Sequence, residues 1–149
     1  MDAVSYPNDK VVEFITANIV PLRSRFDSPL AAEFRVKWTP TLVVADEQGE
    51  EHHRTVGYLP PDELVAQLML GIGKAHFDAD RFDRAIGAFD ELVACCRQSK
   101  AAPEALYLRG VSRYKSSHDP EQLRKTHEEL EESYPDSEWE QRAKAYDLL

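Results

Sequence analysis

Between residues 8 and 58 the apolar positions change their spacing several times, and each spacing predicts its own element. "NDKVVEFITANI" places Val11, Val12, Phe14 and Ile15 at helical intervals behind Asn8 or Asp9 as a cap, which predicts a helix over about 9–18. Val20, Leu22, Ser24 and Phe26 then alternate with mostly polar or proline neighbours, the pattern of a strand. "SPLAAEF" restarts a short helix with Ser28 as its cap and Pro29 in its first turn. "TLVVA" is an apolar, β-branched run suited to a strand covered on both faces. "DEQG" supplies turn chemistry with Gly49 at the left-handed position, and "HHRTVGY" returns as the antiparallel partner. The first half is therefore α/β, with about three strands.

After "LPPDEL", where Pro61 suits a helix start, every segment repeats at three and four residues. Leu64, Val65, Leu68, Met69 and Ile72 form one apolar face that continues past Gly71 and Gly73 to Phe77. "DADR" interrupts it, and Phe82, Ala85, Ile86, Phe89, Val93 and Cys96 form the next. Pro103 opens "PEALYLRGVSRY". Asp119 and Gln122 make a capping pair ahead of Leu123, His127, Leu130 and Tyr134, and Pro135 closes that helix. Ser137 and Glu140 cap a last one carrying Trp139, Ala143 and Tyr146. The second half reads as antiparallel helices joined by short turns, for which two-helix repeats are the natural source. The expected division is residues 1–72 and 73–149.

Composition narrows the partners. The formal charge of −9 repels phosphate backbones and anionic lipid headgroups, and the 18 basic residues are scattered, so neither nucleic acid nor a membrane surface is expected. No apolar run approaches the roughly 20 residues that span a bilayer. "MDAVSYPNDK" lacks a basic segment followed by an apolar one, which makes the cytoplasm the expected compartment.

Candidate chemistry is sparse. Cys95 and Cys96 are neighbours and cannot form a Cys-x-x-Cys pair, and a bridge between them would strain the intervening peptide. Cys96 shares a helical face with Phe89 and Val93, which points to burial, while Cys95 is more exposed and has only Arg97 nearby to lower its thiol. His52 and His53 are adjacent in an expected strand and point to opposite faces, and His76, His118 and His127 lie on separate elements. No metal site, cofactor or catalytic residue is expected. The acidic segment "EELEESYPDSEWE" reads as a solvated helix face.

The segment "VKWTPTLVVADEQGEEHHRTVGYLPPDELVAQL" resembles the C-terminal half of a thioredoxin-like domain, with Thr39-Pro40, Gly49 and Gly57 standing where that family has its cis proline, hairpin glycine and strand-ending glycine. The resemblance covers about residues 1–72, and "WTPT" between a short helix and an apolar strand is its most specific element. It implies that Thr39 lends its backbone to an extended peptide, with Trp38 as an apolar wall and Pro40 and Thr41 completing the edge. It also implies a preceding strand and Cys-x-x-Cys, which this sequence does not contain. Thiolate attack defines such an enzyme, so its chemistry is missing here. The helical half resembles tetratricopeptide repeats over residues 69–149: Gly73, Phe82, Ala85 and Phe89 keep the repeat's order of small and aromatic contacts. Leu123 and His127 depart from it, and Tyr134-Pro135 closes it normally. A stack this short needs a cap, which the preceding domain's last helix supplies.

Two functions follow. The first is a non-catalytic protein-interaction or scaffold module meeting a protein or peptide at Trp38, Thr39, Pro40 and Thr41. The second is the C-terminal portion of a thiol–disulfide oxidoreductase whose redox motif lies upstream. Without the strand that precedes the cysteine motif, residues 20–26 and 41–45 are expected to close into a three-stranded sheet, or a second copy is expected to join through this edge; the apolar "TLVVA" run favours the dimer.

Overall fold

The computed structural model describes residues 1–148. Helix α1, Asp9–Asn18, starts where Asn8 accepts a hydrogen bond from the Lys10 N–H, and α2, Pro29–Glu33, where Ser28 accepts from Ala31. Both caps satisfy amide donors that a helix start leaves without partners. Strands β1, Thr41–Ala45, and β2, Glu51–Val56, pair antiparallel with Thr41 opposite Val56, and a register shift falls between Val44 and Ala45. Gly49 in the connecting turn has φ +83°, the left-handed conformation its place in the sequence predicts.

Residues 20–26 do not form a strand, and the sheet has two strands instead of about three. The stretch is an extended strap whose Val20 and Leu22 side chains are 93% and 79% exposed. Alternation makes a strand only where a neighbour supplies backbone partners and a face to bury. The strap has neither, and the expected three-stranded closure does not occur. Strand β1 is likewise only half-buried, not covered on both faces.

Helix α3, Pro61–Asp78, carries the architecture because it is buried on two sides. Leu64 and Leu68 pack with Val11 of α1 and with Phe14, Leu42 and Val44. Ala66, Met69 and Leu70 pack with Ala85, Phe89 and Leu92 of α4, Phe82–Cys95, and with Ala102 and Ala105 of α5, Ala102–Ser117. A Cβ at Gly71 would lie 2.6 Å from Val44 Cγ2, and one at Gly73 would fall on the Phe89 ring, so small residues let both layers approach. Position 72, the expected domain division, lies inside this helix.

Helices α6, Glu121–Ser133, and α7, Glu138–Ala143, complete the stack, with a final 3-10 turn over Lys144–Leu148. Ser137 caps α7 by accepting from the Glu140 N–H, as its pattern predicts. The expected Asp119–Gln122 cap does not form as such: Pro120 is the N-cap of α6 without a side-chain bond, and Asp119, one residue earlier, accepts from the Glu121 N–H and the Gln122 side chain. Leu106, Leu130 and Ala143 form a smaller core with Tyr107, Trp139 and Tyr146 around it.

Candidate functional site

The chain turns sharply between α2 and β1. Arg35 has φ +50°, its successor Val36 donates to the Ala31 carbonyl, and the Thr39–Pro40 peptide is cis. Thr41 Oγ1 donates to the Trp38 carbonyl at 2.7 Å, and Gly57 N–H donates to the Pro40 carbonyl at 2.8 Å. These bonds fix the loop against the end of the hairpin, and the structure thereby places Trp38, Thr39, Pro40 and Thr41 together. Trp38 is 69% exposed. Val56 stands opposite Thr41 in the ladder and is exposed, as is Tyr58. Trp38, Val56 and Tyr58 are thus exposed apolar residues within three positions of the Thr41–Val56 pair that starts the ladder. Strand β1 pairs only with β2, so its other edge keeps free backbone donors and acceptors among the described residues.

The histidines do more than sequence spacing indicates. His52, its side chain 5% exposed, bonds Asp78 through Nδ1 at 2.7 Å and Asp46 through Nε2 at 3.2 Å, clasping the hairpin to the end of α3. Burial alone pushes the His52 pKa down, but hydrogen bonds and charge from Asp78 and Asp46 outweigh it and the net shift is upward. Asp46 is held low chiefly by the Glu50 N–H it accepts. A histidine raised in the folded state adds stability that is fully present below its unfolded pKa, about 6.5, and is lost as pH rises through the folded value. His52→Gln is therefore expected to destabilise the protein more at pH 6 than at pH 8.5. Urea melts at the two pH values measure the difference, and an equal loss at both would remove the charge from the account.

His53 donates through Nε2 to Gln67 Oε1 at 2.7 Å, and burial keeps its pKa low. His127 meets Asp147 at 2.6 Å and Glu140 at 3.5 Å, joining α6 to the C-terminal turns. Glu140 is buried, so the acidic segment is not wholly a solvated face. The readable signal was His127 itself, standing on the buried stripe of Leu123 and Leu130 and so in need of partners. Among the described residues no group of three His, Cys, Asp or Glu side chains converges as a metal site.

A cleft of about 450 Å³ opens between α4, α5 and α6, lined by Val93, Arg97, Leu106, Arg109, Glu129 and Tyr134. Arg109 pairs there with Asp90 at 3.0 Å and with Glu129, so its charge is already answered from within the fold. Cys95 at the end of α4 is exposed and Cys96 half-buried, far along the chain from Trp38.

Residues 3–71 match the thioredoxin-like domain family. No curated protein and no solved structure matches the chain. No described helix is long and apolar enough to cross a membrane.

Proposed function

We propose that a chain whose residues 3–71 are a thioredoxin-like domain and whose remainder is a pair of tetratricopeptide-like repeats serves as a non-catalytic module that binds another protein. The observation that carries this reading is the exposed Trp38 beside the unpaired edge of β1. An extended segment adding to that edge gains main-chain hydrogen bonds, and a large aromatic at the end of the sheet gives it an anchor. Arg35 and Lys37 both precede Trp38 in a chain of net charge −9, which favours an apolar residue with acidic neighbours in the bound segment. The repeat reading rests on Phe89 lying over Gly73 and on Phe82 meeting Phe77 edge-on at 5.8 Å.

The domain of residues 3–71 holds no cysteine, so the thiolate attack of an oxidoreductase has no source within it. Insulin reduction by dithiothreitol in the presence of this chain is expected to run no faster than with free cysteine. A Cys95→Ala-sensitive acceleration would favour catalysis instead.

Binding is tested with an array of extended peptides that vary an apolar position and its acidic flanks. Trp38→Ala is expected to weaken the best of them by roughly 30-fold, the effect of losing about 2 kcal/mol at an anchor. Unchanged affinity, or amide perturbations confined to the helical cleft, would move the site elsewhere. A second copy is the competing occupant of the edge, and a dimer mass in light scattering at micromolar concentration would identify it.

A further inference from the structure

Three sulfur atoms meet where α3 passes the end of α4. Cys95 Sγ lies 2.7 Å from Cys96 Sγ and 3.7 Å from Met69 Sδ. Cys95 is the last residue of α4 and Cys96 its C-cap, so the helix end itself aims both thiols. Met69 belongs to α3 and is held by the central core, which leaves its thioether little freedom. Cys95 is exposed, giving an incoming ion a path, while Cys96 and Met69 form the covered side.

We propose that Met69, Cys95 and Cys96 form a three-sulfur site for a soft monovalent cation, Cu(I). Thiolate and thioether ligands select Cu(I) among the common metal ions, whereas structural zinc takes four ligands. With metal–sulfur bonds of about 2.3 Å, taking the zinc–thiolate length as a guide, two ligand sulfurs 3.7 Å apart already fit a shared ion. At 2.7 Å the Cys95 and Cys96 sulfurs are too close to flank one ion, so loading requires the Cys96 sulfur to move away while Cys95 keeps its place beside Met69.

Binding is a proton exchange without a change of oxidation state: Cu(I) displaces one proton from each thiol and accepts an electron pair from each sulfur. The Met69 thioether donates a third pair and releases no proton.

The test titrates Cu(I) under nitrogen into the whole chain against bicinchoninate, with pH-indicator readout of released protons. One copper per chain is expected, together with net proton release. Cys95→Ser and Cys96→Ser are each expected to lose the ion, and Met69→Leu, which conserves volume, to hold it more weakly. X-ray absorption of the loaded wild type counts the sulfur shell directly and keeps the question decidable if a variant fails to fold. Three sulfurs support the proposal. Two sulfurs, one copper per two chains, or Met69→Leu binding as tightly as wild type would overturn it, as would a wild type that holds no copper but loses two mass units on peroxide treatment.

Discussion

Phe89→Ala is expected to lower the free energy of unfolding by about 3–5 kcal/mol, the range for deleting a large buried ring. Domains of this kind hold only about 5–15 kcal/mol in total, so the variant should melt near working temperatures or fail to accumulate. Phe89 has no solvent exposure and sits in the cluster shared by α3, α4 and α5. Its ring lies directly on Gly73, where no side chain exists to swing into the vacated space. The cluster around it combines alanines with Met69, Leu70 and Leu92, all held in a close-packed core that relaxes only in part, so much of the cavity should persist. Chemical denaturation followed by far-UV circular dichroism measures the loss. A cost below 1 kcal/mol would mean that the helices close over the gap, and the packing of Phe89 on Gly73 would then not be what sets their spacing.

Gly110→Ala should also destabilise, against the direction that helix propensity gives. Glycine inside a helix costs about 1 kcal/mol relative to alanine, so on a free surface this substitution would be favourable. At Gly110 the new Cβ would fall on Thr126 Oγ1 and lie 2.6 Å from Thr126 Cβ and Cγ2. Thr126 is buried, branched at Cβ and tied to the Gln122 carbonyl at 2.6 Å, so it cannot rotate out of the way. Helices α5 and α6 must separate instead. Overpacking of this kind costs typically about 1–3 kcal/mol, and the net change should be a loss that falls on the α5–α6 contact. Gly110→Ala combined with Thr126→Ser, which removes the Cγ2 methyl, should recover part of it. A variant more stable than wild type would show that the two helices have slack.

Helix α3 was legible from Leu64, Leu68 and Met69 because an apolar face sustained at helical spacing has few other solutions, whereas its burial on two sides showed only in the packing. The caps at Ser28 and Ser137 were legible for a local reason: each hydroxyl serves an amide three residues away. The strap at residues 20–26 misled because alternation is a local property, while a strand exists only with a neighbour. The proposed edge at Trp38 came from the thioredoxin-like resemblance at "WTPT", and the hairpin register then set exposed Val56 opposite Thr41. Met69 meets Cys95 across 26 residues, and His127 meets Asp147 across 20, distances at which no spacing rule operates.

The double burial of α3 bears on how such a chain can be rearranged by recombination. A crossover at residue 72 would hand each daughter half a helix, one keeping Leu64 and Leu68 beneath the sheet and the other keeping Gly73 beneath Phe89. Neither fragment would retain a continuous face. The transferable pieces are residues 1–78 and 61–148, and they overlap by the whole of α3. Segments that overlap cannot be exchanged independently, so the sheet end and the helical end are inherited as one block. An insertion within residues 61–78 would disrupt both ends at once.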